Sequence, residues 1–275
     1  MIRIAVIIGS TRPGRRVEAV ARWVADTSVR HPAVVAGQAD VEVVDIAAYA
    51  LPLLDEPVPA AFTRYANAHT RRWAETIAAF DGFVFVTPEY NRSVPAALKN
   101  AIDFLYAEWH HKAAGFVVYG VHGGIRAVEQ LRQVMAEVKI ADVQTQVALA
   151  MFTDFTFTDP TDPTDPGTCT PSTRQEATLA TMLDEIIAWS QALKPLRDPS
   201  TAPEPLPARP GHRAARSLVS RREPTAWTGP LHRRRAGTRL AEISSSASPR
   251  PAVERCPCPL PPHARQLWPP ASGTG

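Results

Sequence analysis

Cysteine is scarce: Cys169, Cys256 and Cys258 are the three in 275 residues. They are too few for a disulfide framework, so a cytoplasmic setting is the expectation. Long apolar runs are missing too. None approaches the roughly 18 residues of a membrane span. Ile2 to Ile8 reads as a strand closed by Gly9, not as the apolar region of a signal peptide. No membrane association is expected. Two phosphate-binding signatures are absent. No Gly-Lys-Ser/Thr follows Gly9, which excludes a Walker loop, and Gly9 with Gly14 falls short of the three-glycine dinucleotide turn. Lysine is absent from Leu196 onward, where 13 arginines, 5 acidic residues and 15 of the 27 prolines stand. Chain of that composition cannot offset its ordering entropy. Residues 196–275 are therefore expected to form a disordered Pro/Arg-rich tail, with Cys256-Pro257-Cys258 part of its composition and not a metal site. The tail's arginines form no periodic face, so no nucleic-acid partner is expected. So abrupt a shift also fits a change of reading frame.

Residues 1–195 are a different kind of chain, with 17 Lys+Arg against 22 Asp+Glu. This mildly acidic balance suits one globular domain. Phe83 to Asp103 organises it. The apolar run Phe83-Val84-Phe85-Val86 reads as a central parallel strand. It runs into Thr87-Pro88-Glu89-Tyr90-Asn91-Arg92-Ser93, followed by a helix from Pro95 to Tyr106. Ligands of open α/β sheets sit where such strands end. Pro88 stiffens the loop, Tyr90 offers a flat face, and Asn91 offers a donor and an acceptor, a set suited to a planar heteroaromatic ring. Taken alone, the loop is equally a turn with an ordinary exposed tyrosine.

Two more strand-to-helix turns carry chemistry. Arg3 to Ile8 is the first strand, and Gly9-Ser10-Thr11-Arg12-Pro13-Gly14-Arg15-Arg16 leads into a helix with Val17, Val20, Ala21 and Val24 at helical spacing. Amides and a helix dipole facing an anion, hydroxyls at Ser10 and Thr11, and arginine charge make a phosphate cradle. The bland alternative is an arginine-rich surface turn. Gly115 to Tyr119 is a strand ending in Gly120-Val121-His122-Gly123-Gly124, where glycines let main-chain amides approach a ligand. Val41 to Ile46 and Val143 to Met151 supply the remaining strands, and Ser172 to Leu193 a last amphipathic helix. Asp45 could be a ribose-binding carboxylate, but without the glycine fingerprint a structural role is preferred. His110-His111 lacks the carboxylates that would complete a metal site.

Five β-α units with functional loops after strands one, three and four predict a flavodoxin-like doubly wound α/β fold, with a five-stranded parallel sheet in the order 2-1-3-4-5. Gly9-Ser10-Thr11-Arg12, Thr87-Pro88-Glu89-Tyr90-Asn91 continuing through Leu98-Lys99-Asn100-Ala101-Ile102-Asp103, and Gly123-Gly124 resemble the NAD(P)H-dependent FMN reductases over residues 1–196. The resemblance implies FMN as cofactor and NADPH or NADH as donor. Ser10, Arg12, Arg15 and Arg16 would hold the FMN phosphate, Pro88 to Asn91 would face the isoalloxazine, and Gly120 to Gly124 would lie at its pyrimidine edge. Amides around Gly123 and Gly124 would stabilise the reduced ring without a general base, leaving His122 at most a modulator. It also implies a small acceptor (a quinone, free flavin, an azo compound or a metal oxyanion) and a homodimer or homotetramer, with Glu89 and Tyr106 to Trp109 as contacts. The rival reading is a non-enzymatic flavodoxin-type electron carrier.

Overall fold

Every residue of Gly82–Pro88 is buried, and so is all of Lys112–Gly120 except its final glycine. Strands covered on both faces leave no place for alternation, which is why they read as continuous apolar runs. The computed structural model describes residues 1–162 and 164–198. The expectations for the tail beyond residue 198, including Cys256 and Cys258, lie outside the described residues.

In chain order the elements are β1 (Ile2–Ile8), α1 (Val17–Ser28), a short α2 (Pro32–Val35), β2 (Ala39–Asp45), α3 (Ala68–Ala78), β3 (Gly82–Pro88) and α4 (Ala96–Asp103). They continue with β4 (Lys112–Gly120), α5 (Ile125–Glu137), β5 (Ile140–Ala150), a two-residue pair β6 (Phe155–Thr156) and β7 (Thr168–Cys169), and α6 (Thr173–Leu193). The main sheet is parallel with order β2-β1-β3-β4-β5. The fold predicted from the sequence is therefore the one observed. The strands begin somewhat earlier than their apolar runs suggested, at Lys112 and Ile140, and α4 stops at Asp103, short of Tyr106.

One core layer packs α1 and α6 on the sheet through Val17, Val20, Ala21, Val24, Leu179, Leu183 and Ile186. The other packs α3, α4 and α5 on the opposite face around Trp73, Phe85, Trp109 and Phe116. The two buried indoles place α4. Trp73 Nε1 donates to the Ala101 carbonyl at 2.8 Å and Trp109 Nε1 to that of Ile102 at 3.1 Å. Both carbonyls belong to the last turn of α4, where no intrahelical partner exists. Trp109 is thus wholly buried inside the subunit, which removes it from the expected subunit contacts.

Candidate functional site

β1, β3 and β4 are neighbours in the sheet, so the loops that follow them meet at one carboxyl-terminal edge. The chain order reverses between β1 and β3, the position where open α/β sheets bind ligands. Main-chain bonds join the loops. The Gly9 amide donates to the Val86 carbonyl at 2.8 Å, and the Glu89 amide to that of Tyr119 at 2.9 Å. All fourteen sequence-derived candidates lie on this edge.

Gly9 is required by packing. A Cβ there would stand 2.9 Å from both the Val86 carbonyl oxygen and a Leu98 methyl. Ser10 is buried, and its Oγ lies 3.5 Å from the Arg12 amide. Thr11 and Arg12 are exposed. Arg12 makes no ion pair among the described residues, which leaves its guanidinium available. Arg15 and Arg16 differ from expectation. Arg15 hydrogen-bonds to the Ser10 carbonyl, to both oxygens of Asp45 and, at 2.8 Å, to Glu18. Burial pulls its pKa down, but the hydrogen bonds and charges of Asp45 and Glu18 outweigh that and raise it, so the cation is held in place. This is a brace across the loop. It also explains Asp45, which caps the turn after β2 by accepting from the Ala47 amide at 2.9 Å. Arg16 turns away as well. It donates to the Asp165 carbonyl at 2.7 Å and lies over the Phe157 ring at 5.2 Å.

The β3 loop is built as a tight turn. Tyr90 and Ser93 exchange both main-chain hydrogen bonds, at 2.8 and 3.0 Å, while Asn91 and Arg92 adopt φ of 50° and 67°. Two successive positive φ values form a type I′ geometry that suits asparagine and strains arginine. Thr87 and Pro88 are buried beneath it, and Tyr90 is 36% exposed above it. Glu89 is committed elsewhere. Its carboxylate accepts from the Arg126 amide at 3.1 Å and pairs with the Arg126 guanidinium at 3.0 Å. Gly124, the N-cap of α5, has no side chain, so Glu89 satisfies an orphan amide of that helix from across the edge.

The β4 turn needs its glycines for its own shape. Gly123 and Gly124 have φ of 77° and 74°, and a Cβ on Gly124 would stand 2.9 Å from the Tyr119 backbone. The Gly123 amide donates to the Gly120 carbonyl at 3.2 Å, so it is occupied within the turn. His122 is exposed.

Sequence pattern alone did not single out Tyr119, the last large residue of β4. It pairs in register with Pro88, is 4% exposed, and packs on the α1 and α6 face. Burial first, then the Tyr90 phenol, holds its pKa above the ordinary 10, against the pull of Arg12, Arg16 and Arg15. Its place just before a glycine turn, like that of Thr87 and Pro88 at the end of β3, was the available signal.

A cavity of about 380 Å³ opens beside Thr11, between the turn after β2 and α4, lined by Ile46, Ala47, Leu51, Ala97 and Asn100 among others. A wider groove of about 780 Å³ at the β5 edge, around Arg132, Asp142 and Trp189, touches none of the three loops.

Comparison with known proteins agrees with this architecture. The profile of a family described as NADPH-dependent FMN reductase matches residues 2–154. The NAD(P)H-dependent FMN reductase LOT6 of Saccharomyces cerevisiae is 41% identical over 145 residues, which span 50% of this chain and 76% of LOT6. An NADPH azoreductase of a Bacillus species is 30% identical over 158 residues, 54% of this chain and 76% of that protein. Among solved structures, the flavoenzyme FerB, an NAD(P)H:(acceptor) oxidoreductase of Paracoccus denitrificans, aligns with a TM-score of 0.53 and 20% identity, covering 70% of this chain and 99% of FerB, a likeness of fold. A profile match over more than half of the chain, together with a 41% identical relative matched over most of its length, makes this chain an oxidoreductase of the NADPH-dependent FMN reductase family.

Proposed function

We propose that the protein passes two electrons from NADPH or NADH through FMN to a small acceptor, with the three strand-end loops as the flavin site. The observation that carries this reading is the β1 loop. A buried serine, an exposed threonine and an arginine with no ion pair among the described residues precede a helix at the sheet's switch point. Such a loop fits one terminal phosphate. In this reading Ser10, Thr11 and Arg12 take the phosphate, Arg15 holds the loop in shape, and Arg16 anchors it to the segment around Asp165. Thr87 and Pro88 form the floor under the ring, and Tyr90 and Asn91 face it from the type I′ turn. Glu89 locks that turn to α5. Gly120, Gly123 and Gly124 shape the turn that would border the ring's pyrimidine edge, with the Gly124 amide as the donor there.

FMN, when bound, supplies two-electron transfer between nicotinamide and acceptor; the chain's task is to orient the ring and exclude competing reactions. No side chain on this edge is needed as a general base. The acceptor classes are quinones, free flavin, azo compounds and metal oxyanions; a relative named as an azoreductase supports including azo compounds. We further propose a homodimer or homotetramer in the cytoplasm. Among the described residues no helix is long and apolar enough to cross a membrane.

The test is purification. The protein is expected to be yellow and to release FMN, not FAD, on denaturation, and to oxidise NADPH only when an acceptor is supplied. A preparation that stays colourless after incubation with excess FMN overturns the reading. One that binds FMN but never oxidises NADPH or NADH is a carrier.

A further inference from the structure

The amino-terminal edge of the sheet, opposite the three loops, gathers a second set of titratable side chains. A cavity of about 320 Å³ opens there between the end of α3 and the start of β4, lined by Glu108, His110, His111, Lys112 and Arg197 among others. The nine residues of β4 separate it from the Gly120 turn. It is therefore no part of the proposed flavin site.

Lys112 is 3% exposed. Its ammonium donates to the Ile77 and Ala78 carbonyls at 2.6 and 3.4 Å, in the last turn of α3, and lies over the Phe83 ring at 5.5 Å. Two carbonyls take two of the three N–H groups of a charged lysine, which leaves one for a ligand. His110 adds a second donor. Its Nε2 is buried and has no hydrogen-bond partner, a costly arrangement in a folded chain. The acids close by are already engaged. Glu108 accepts on one oxygen from the Tyr65 phenol at 2.7 Å and the Tyr106 amide at 3.3 Å, and Asp81 accepts from the Arg3 amide, Lys194 and Arg197.

His111 and Lys139 make no ion pair among the described residues. The His111 amide donates to the Lys139 carbonyl at 3.0 Å, and the two residues take left-handed φ of 57° and 53°, so strained backbone holds two basic residues together. The crowding is felt by their neighbours. Burial, then Lys139 and His111, lowers the His110 pKa against the pull of Glu108; burial, then Arg197, lowers that of Lys112 to about 7 against Asp81 and Glu108. A small anion among these groups relieves the repulsion and accepts from both donors.

We propose that this cavity binds a small oxyanion of the sulfate or phosphate type, held by the Lys112 ammonium, the His111 imidazole and His110 Nε2, with Arg197 as one wall. The site does not depend on the flavin assignment. Because a bound anion favours the charged lysine, binding takes up a proton slightly above neutral pH.

Sulfate is the probe, since its charge is constant near neutral pH. The full-length protein is titrated calorimetrically at ionic strength fixed with sodium chloride, in two buffers of different ionisation heat, so that proton uptake is read separately. One saturable site with proton uptake is expected. Lys112→Met should weaken it on the order of tenfold or more, the size of a hydrogen bond to a charged group, and abolish the proton uptake. Two milder variants guard against misfolding. His111→Asn puts a residue that tolerates positive φ at 57°, and His110→Phe keeps an aromatic ring against Tyr106, 4.6 Å away, without Nε2. Each should weaken sulfate several-fold. Absence of saturable binding in wild type overturns the proposal, as does unchanged affinity in His111→Asn and His110→Phe. Arg12→Ala, at the opposite edge, should bind sulfate as wild type does; loss of the site in that variant would place the ion on the β1 loop and equally overturn the proposal.

Discussion

Arg12 and Arg15 stand three positions apart in one loop, and their surroundings give them opposite tasks. Arg12 is exposed and without an ion pair among the described residues, whereas the Arg15 side chain is 10% exposed and multiply bonded. Arg12→Ala should therefore weaken FMN binding by about 1.5 to 3 kcal/mol, the value of a charge-assisted contact, and leave the melting temperature of the flavin-free protein unchanged. Arg15→Ala should lower that melting temperature, because Asp45 and the Ser10 carbonyl lose a partner; parallel flavin titrations and thermal melts separate the two. Lys112 gives a pH prediction. Burial, reinforced by Arg197, lowers its pKa to about 7 from 10.5. Between those values the unfolded chain holds a proton that the folded one does not, so stability rises with pH over that window. Denaturant midpoints at pH 7 and pH 9 should show this gain in wild type and a smaller one in Lys112→Met. An equal gain in both would mean that Lys112 is charged throughout. From the sequence it was only possible to see that arginines crowd one loop; which of them is engaged internally depended on Asp45, 30 positions away.

At the scale of elements, turns between strand and helix decide the edge. Gly124→Val places a branched side chain at φ 74° and onto the Tyr119 backbone. It should destabilise the whole subunit by several kcal/mol by overpacking and strain, visible as a lower denaturant midpoint without any flavin present. The loss of flavin in such a variant would then follow from the broken turn. Lys139 offers the opposite case. It sits just after α5 at φ 53°, with its amide bonded to the Ala136 carbonyl at 3.2 Å. That left-handed position favours glycine, so Lys139→Gly should raise the urea midpoint, by roughly 0.5 to 1 kcal/mol in stability. The segment after β5 shows how a repeat becomes structure. Asp159, Asp162 and Asp165 each accept from the amide two residues on, at 2.8, 2.7 and 2.8 Å. The Asp-Pro-Thr spacing marked these as turns, but their anchoring by Arg16 was not visible in it.

At the scale of the whole molecule, the packed fold continues past the start of the composition change near Leu196. Arg197 pairs with Asp81 and donates to the His111 carbonyl at 2.7 Å, and Lys194 reaches Asp81 at 3.3 Å. We therefore propose that the domain extends beyond Pro195 to include at least Arg197 and Asp198. A chain ending at Asp198 should keep the melting temperature, the flavin content and the reductase rate of the full protein, and one ending at Pro195 should melt earlier. Loss of flavin in the chain ending at Asp198 would show that the Pro/Arg-rich segment belongs to the fold.

Local pattern was enough to specify the sheet, its order and the three loops at its edge. Apolar runs of strand length, helical spacing and glycine or proline at the junctions are short-range signals, and the parallel α/β architecture follows from their alternation. The family was legible for the same reason, because Thr87 to Asn91 and Leu98 to Asp103 are contiguous. The division of labour within the loops emerged only in the folded chain. Glu89 serves Arg126, Arg15 serves Asp45, Arg16 serves the Asp165 carbonyl, and the Gly123 amide serves its own turn. Most of these pairings depend on partners brought together by strand order across long sequence separations. A side chain's availability to a ligand is what remains after such partners are satisfied, and no local pattern records it.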